Sequence, residues 1–186
     1  MKTLPKNLDE LRLRREAGEA FRYLHFWGHR PQKNGQVSAS CFSQWFEAPF
    51  DLEGYRYATA EHFMMAEKAR LFGDEAALAK VLSAPNPGAA KAAGRKVKGF
   101  EEAVWLRHRF DIVVRANRAK FQQNEAMASY LCQTGDKVLV EASPVDAIWG
   151  IGLAADDERA NNPSQWRGLN LLGFALMQVR AELLAA

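Results

Sequence analysis

One unbroken helical pattern, EEAVWLRHRFDIVVRANRAKF from Glu101 to Phe121, constrains this chain more than any other segment. Apolar positions recur there at helical spacing with no proline or glycine to interrupt them. Further helical stretches flank it. Thr59 can cap EHFMMAEKARLF, which Gly73 ends. Asp74 can cap DEAALAKVLSA, and Asn86-Pro87 reads as an N-cap followed by a first-turn proline, with Gly94 closing that helix. Another helix runs from Glu125 to Leu131 and stops near Gly135, and LLGFALMQVRAELL ends the chain as an amphipathic helix.

Strand signals are fewer. Residues 21–58 are rich in aromatics and turn formers and read as short strands and loops, with Asn34-Gly35 as a turn signal. KVLVEAS is the best strand candidate beyond residue 58. The expectation is a compact, mainly helical α+β fold in one domain over 21–186, preceded by an N-terminal arm or short helix over 1–20. At 186 residues the chain is long enough to bury a sizeable core.

Composition narrows the function classes. A net charge of +3 is compatible with an anionic ligand but too weak to argue for a duplex-binding surface. No apolar run approaches the ~20 residues that span a bilayer, and the N-terminus lacks the apolar core of a signal peptide. The chain is therefore expected in the cytoplasm, with no membrane partner. Its two cysteines, Cys41 and Cys132, lie far apart in no metal-type spacing and read as reduced, small apolar residues.

Several motifs fail on inspection. Gly150-Ile151-Gly152 follows a strand but lacks the third glycine and the helix that a dinucleotide site needs. There is no phosphate loop, HExxH motif or GxSxG elbow, and His25 and His29 have no ligand partner nearby.

Three places keep chemical content. In EHFMMAEKARLF, about 100° per residue puts Met65 at about 40°, Lys68 at about −20° and Phe72 at about 20° from Glu61. A carboxylate and an ammonium so share a stripe with apolar side chains, ~10.5 Å apart along the axis. A desolvated lysine is a potential nucleophile or Schiff-base former; equally, each charge can snorkel to water or pair with a partner elsewhere in the chain. Second, Asp146-Ala147-Ile148-Trp149-Gly150 lies in a long irregular loop, a length usually tied to function. It suits a ligand cradle with a stacking face, or is an ordinary turn with a packed tryptophan. Third, Trp105 is followed by Arg107, His108 and Arg109, then Arg115, Arg118 and Lys120. These suit a phosphorylated heterocycle, or a solvated helix face.

The segments SCFSQWFEAPFDLEGYRYATAEHFMMAEKA, AAKAAGRKV, the Trp105 helix, Lys120-Phe121, LVEASPVDAIWGIG and GLNLLGFALMQVR occur in an order that resembles the NADAR family, the YbiA-like N-glycosidases. The resemblance covers roughly residues 24–182 and implies a YbiA-like fold. It also implies hydrolysis of the C1′–N bond of ribosylated bases: phosphoribosylamino-pyrimidine intermediates of riboflavin synthesis, ADP-ribosylated guanine, or both. No metal or organic cofactor is implied. The implied partner is a small phosphorylated or nucleotide-like substrate, with ADP-ribosylated nucleic acid bases as a further possibility. Carried over by position, Glu61, Lys68 and Asp146 are the catalytic candidates. Trp105, Trp149, Gly150 and Asn170 are substrate-binding candidates, and Arg109 and Arg118, with Arg95, are candidates for phosphate. Ser43-Gln44-Trp45 departs from the family's serine-asparagine-phenylalanine, and Leu169 stands where many members have lysine; these bear on the base pocket and on phosphate grip. A non-catalytic ADP-ribose or nucleotide-binding module, using the same pocket, is the alternative.

Overall fold

Local capping chemistry starts four of the helices. Asn7 Oδ1 accepts from the Glu10 N–H at 2.9 Å, Thr59 Oγ1 from His62 at 3.3 Å, Asp74 Oδ1 from Ala77 at 3.0 Å and Asn86 Oδ1 from Ala89 at 2.8 Å. The computed structural model describes residues 3–185. In chain order its elements are α1 (Leu8–Glu16), β1 (Tyr23–Phe26), β2 (Phe50–Leu52), β3 (Tyr55–Tyr57), α2 (Ala60–Leu71), α3 (Glu75–Leu82), α4 (Pro87–Gly94), α5 (Glu102–Gln122), α6 (Glu125–Gln133), β4 (Val138–Glu141) and α7 (Leu171–Ala185). Short 3-10 turns span Ala39–Phe42, Glu158–Asn161 and Pro163–Gln165. The fold is α+β and mainly helical, with few short strands, as the sequence pattern implies.

The chain divides into two compact units. One holds everything up to Ser43 and from Ala126 onward. Within it β1 and β4 pair in parallel, Tyr23 against Val138 through Phe26 against Glu141. Val138, Leu139 and Val140 are fully buried, and α7 packs against this strand with Leu172, Phe174, Ala175 and Leu176 in the core. Two arginines of α1 (Leu8–Glu16) tie it down. Arg12 Nε donates to the Pro163 carbonyl at 2.9 Å, and Arg15 donates to Asn161 O at 2.9 Å and Asn162 Oδ1 at 3.0 Å.

The other unit runs from Gln44 to Glu125. The β2–β3 hairpin turns through Glu53 (φ 52°) and Gly54 (φ 81°), the pair of positive φ angles that a tight two-residue hairpin loop demands. Helix α2 is its central element and packs against α3, α4 and α5. It is not a one-sided amphipathic helix: Ala60 through Ala66, and Ala69, are all buried. The stripe expected from periodicity is thus only part of a helix enclosed over most of its length; of the two charges on the stripe, Glu61 is enclosed and Lys68 half-buried. No helix among the described residues is long and apolar enough to cross a membrane.

Candidate active site

Glu61 and Lys68 sit at the two ends of α2. Glu61 is only 2% exposed. Its N–H donates to the Gln44 carbonyl at 3.0 Å, and its carboxylate lies in the first turn, where the helix dipole favours negative charge. The neighbouring His62 is buried and held at both ring nitrogens, by Thr59 Oγ1 at 2.8 Å and the Ala84 carbonyl at 3.1 Å. It braces the start of the helix and is a residue that spacing did not single out.

Lys68 is half-buried. Its ammonium makes no hydrogen bond or ion pair among the described residues. Instead Nζ stands 4.4 Å from the centroid of the Phe100 ring and 5.6 Å from that of Trp105. Burial pulls the ammonium below the usual lysine range, and the positive charge of Arg95 pushes it the same way. A primary amine in these surroundings is neutral over a wider pH range than a surface lysine and is correspondingly more available as a nucleophile.

The basic residues of α5 separate into distinct environments. Arg107 and His108 are exposed. Arg115 is committed: its guanidinium donates to Glu67 Oε2 at 2.8 Å and also contacts Glu53. Arg109 is half-buried, with its pKa lowered by burial against a small opposing effect of Glu102. Arg118 is half-buried and Lys120 fully buried, with Nζ 5.3 Å from the Phe121 ring and 5.8 Å from Phe46. Trp105 is half-buried and faces Lys68.

In the other unit, the loop after β4 is folded around Asp146. One carboxylate oxygen, Oδ1, accepts from the Ile148 and Trp149 N–H groups, each at 2.8 Å, and the Asp146 carbonyl accepts from Gly152 at 3.1 Å. Its Oδ2 has no hydrogen bond among the described residues. Trp149 is half-buried, while Ile148 and Leu169 are 44% and 43% exposed. Gly150 is packed so closely that an added Cβ would lie 2.8 Å from the Glu141 carbonyl oxygen and 3.0 Å from that of Asp146. Asn170 is fully buried in a left-handed backbone conformation (φ 54°). Its Oδ1 accepts from the Glu141 N–H and its Nδ2 donates to the Leu139 carbonyl, both at 2.9 Å, so its carboxamide frames the loop.

The sequence-derived candidates therefore form two local groups. Glu61, Lys68, Trp105, Arg109 and Arg118 belong to α2 and α5; Asp146, Trp149, Gly150 and Asn170 belong to the loop between β4 and α7. Phe100, the ring nearest the Lys68 ammonium, escaped the sequence because it stands alone between a glycine and a helix start, outside any periodic pattern. Among the described residues no cluster of three or more His, Cys, Asp or Glu side chains is placed to hold a metal ion. Cys41 is buried, Cys132 half-buried, and neither is in a disulfide among the described residues.

The NADAR domain family matches residues 25–184. The chain is 43% identical over 169 residues to N-glycosidase R617 of Acanthamoeba polyphaga mimivirus, covering 88% of this chain and 98% of that protein. It is 35% identical over 142 residues to the chloroplastic riboflavin biosynthesis protein PYRR of Zea mays, of whose length the match spans only 20%. The NMR structure of the Escherichia coli protein YbiA superposes with a TM-score of 0.71 at 25% identity, covering 88% of this chain and 86% of YbiA.

Proposed function

The chain belongs to the NADAR domain family, and from that premise we propose that it is an N-glycosidase that hydrolyses the C1′–N bond of ribosylated bases. It is a hydrolase acting on N-glycosyl bonds. The observation that carries the mechanistic reading is the Lys68 amine: half-buried against two aromatic rings, lowered in pKa, and on the same helix as the enclosed carboxylate of Glu61.

Breaking a C1′–N bond leaves positive charge at the sugar and negative charge on the departing base. In the proposed route Glu61 protonates the ring oxygen, which leaves C1′ as a hydroxyl and gives an open-chain iminium to the base. Neutral Lys68 Nζ adds to C1′ and gives up a proton to the Glu61 carboxylate. Glu61 passes that proton to the base, which departs with its bonding electron pair and leaves a protonated Lys68–C1′ imine. Water adds to that imine, and the amine is expelled, releasing the sugar as its aldehyde and restoring Lys68. One water is consumed and no redox change occurs. Each unit offers its own ligand groups: beside Lys68, Trp105 offers a face for a heterocyclic base and Arg109 and Arg118 positive charge for a phosphate, while in the other unit Trp149 offers such a face and Asp146 Oδ2 an acceptor for hydroxyls. Gly150 and Asn170 keep the Asp146 loop in shape.

Two substrate classes fit this chemistry: phosphoribosylamino-pyrimidine intermediates, for which the maize relative's name is the support, and ADP-ribosylated guanine. The deciding experiment incubates the protein with each class and measures free base, with borohydride added during turnover. A reduced sugar adduct on Lys68 supports the imine route. Base release without any adduct assigns hydrolysis to a water activated by Glu61 or Asp146 instead, and binding without base release sinks the enzymatic reading.

A further inference from the structure

We propose that Phe100 is a positioning residue for the reacting amine: its ring, with that of Trp105, forms an aromatic seat that holds Lys68 Nζ in place and keeps water from it. This rests on the reading of Lys68 as the nucleophile.

The seat is fixed by the fold. Phe100 lies in the turn between α4 and α5, and that turn is anchored at three points. Val97 is buried in a small core with Ala69 and Ala77, against which Phe72 also packs. The Lys98 N–H donates to Asp74 Oδ2 at 2.8 Å, using the second oxygen of the residue whose first oxygen caps α3. Gly99 bends the chain at φ 69°, and the Phe100 ring meets Phe72 edge-on at 5.3 Å between centroids. The ring is nevertheless 44% exposed, so it does not serve mainly as core. What it covers is the ammonium, 4.4 Å from its centre.

A ring in this place acts on the amine in two opposed ways. Its quadrupole attracts the charged form, within the ~6 Å range of cation–π contact. Its bulk excludes water, which favours the neutral form. Among the described residues, Arg95 acts on Lys68 from the end of α4 and α5 presents the uncharged Trp105. Asp74, at the start of α3, is occupied by backbone N–H groups. On its own helix, Glu67 pairs with Arg70 at 2.7 Å and with Arg115. Among the described residues no carboxylate pairs with the Lys68 ammonium, in keeping with the lowered pKa. The ring thereby confines an amine that must be neutral to react, without an anion that would hold it protonated.

The two effects separate by substitution. Phe100→Leu keeps apolar bulk and removes the π face; Phe100→Ala removes both; Phe100→Tyr keeps both. The lysines are reductively 13C-dimethylated, which preserves their charge, and the Lys68 resonance is assigned by its loss in Lys68→Arg. Its titration then reports on the seat without reference to turnover. Phe100→Leu is expected to lower the Lys68 pKa by about half a unit. Phe100→Ala is expected to raise it as water enters, and Phe100→Tyr to leave it in place. On unmodified protein, kcat for base release falls about tenfold in the Leu and Ala variants, with KM changed less than about twofold, and Tyr restores it. Leu and Ala shifts of the same sign, or an unmoved resonance with unchanged kcat, would overturn the proposal. A missing borohydride adduct would instead remove the nucleophile role of Lys68 while leaving the titration result standing.

Discussion

Asn170 holds Glu141 in place: its Oδ1 accepts the Glu141 N–H at 2.9 Å while its Nδ2 donates to the carbonyl of Leu139, two residues earlier on the same strand. The side chain thus bonds the exit of β4 as a neighbouring strand would. That strand end leads directly into the loop built around Asp146, so loop geometry and strand geometry are coupled through one carboxamide.

Asn170→Ala therefore removes two buried hydrogen bonds and loses the residue type best suited to φ 54°. The expected loss of stability is about 2–4 kcal/mol, measured by urea unfolding. A loss below about 1 kcal/mol would contradict the bracing role.

Gly168→Ala should be similarly costly. A Cβ there would sit 2.2 Å from the Gly150 carbonyl oxygen and 2.7 Å from the Ala147 Cα, both backbone atoms with no side-chain freedom to yield. The loop must open around Asp146 and Trp149. The expected signs are a lowered Tm and a weakened KM for substrate, read by calorimetry and steady-state kinetics.

Lys68 governs a pH dependence of defined sign. Burial and Arg95 lower its pKa in the folded chain, so the unfolded chain binds the Lys68 proton more tightly. Between the folded value and the ordinary lysine value the unfolded state carries more protons, and stability contributed by this group rises with pH across that window. For catalysis, kcat is expected to rise with pH as the amine loses its proton, with a midpoint below the ordinary lysine pKa. Lys68→Met should abolish the limb and reduce kcat by about a thousandfold or more. A pH–rate profile unchanged in Lys68→Met would exclude the amine from the reaction.

Arg115 and Arg109 should behave differently although both lie on α5. Arg115 is engaged by Glu67 and Glu53, so Arg115→Gln is expected to cost about 1–2 kcal/mol of stability with KM unchanged. Arg109 makes no ion pair at hydrogen-bond range among the described residues, and Arg109→Gln is expected to raise KM for a phosphorylated substrate several-fold with Tm unaffected. Steady-state kinetics on both variants test the contrast. A raised KM for Arg115→Gln alone would reverse the assignment.

Much of the local structure was legible because its causes are local. Thr59, Asp74, and Asn86 with Pro87 announce helix starts through hydrogen bonds that close within three residues. The same holds for the ends at Gly73 and Gly94 and for the long α5. Lys68 and Glu61 stood out because charges on an apolar stripe are anomalous on any helical wheel. Phe100 did not, since nothing within four residues distinguishes a loop phenylalanine that packs from one that covers an amine. Nor did Arg115, whose carboxylate partners lie 48 and 62 positions away.

By itself the sequence determined the helix boundaries, the α+β class, the family and the short list of chemical residues, because capping, periodicity and motif order are properties of neighbouring residues. Tertiary structure decided the parallel pairing of β1 with β4 across more than a hundred intervening residues, and the enclosure of α2 over most of its length. It also decided which cations are spent in ion pairs and which, like Lys68, face aromatic rings with no ion pair among the described residues. Those outcomes depend on which distant surfaces exclude water together, and burial sets both the cost of a charge and its pKa.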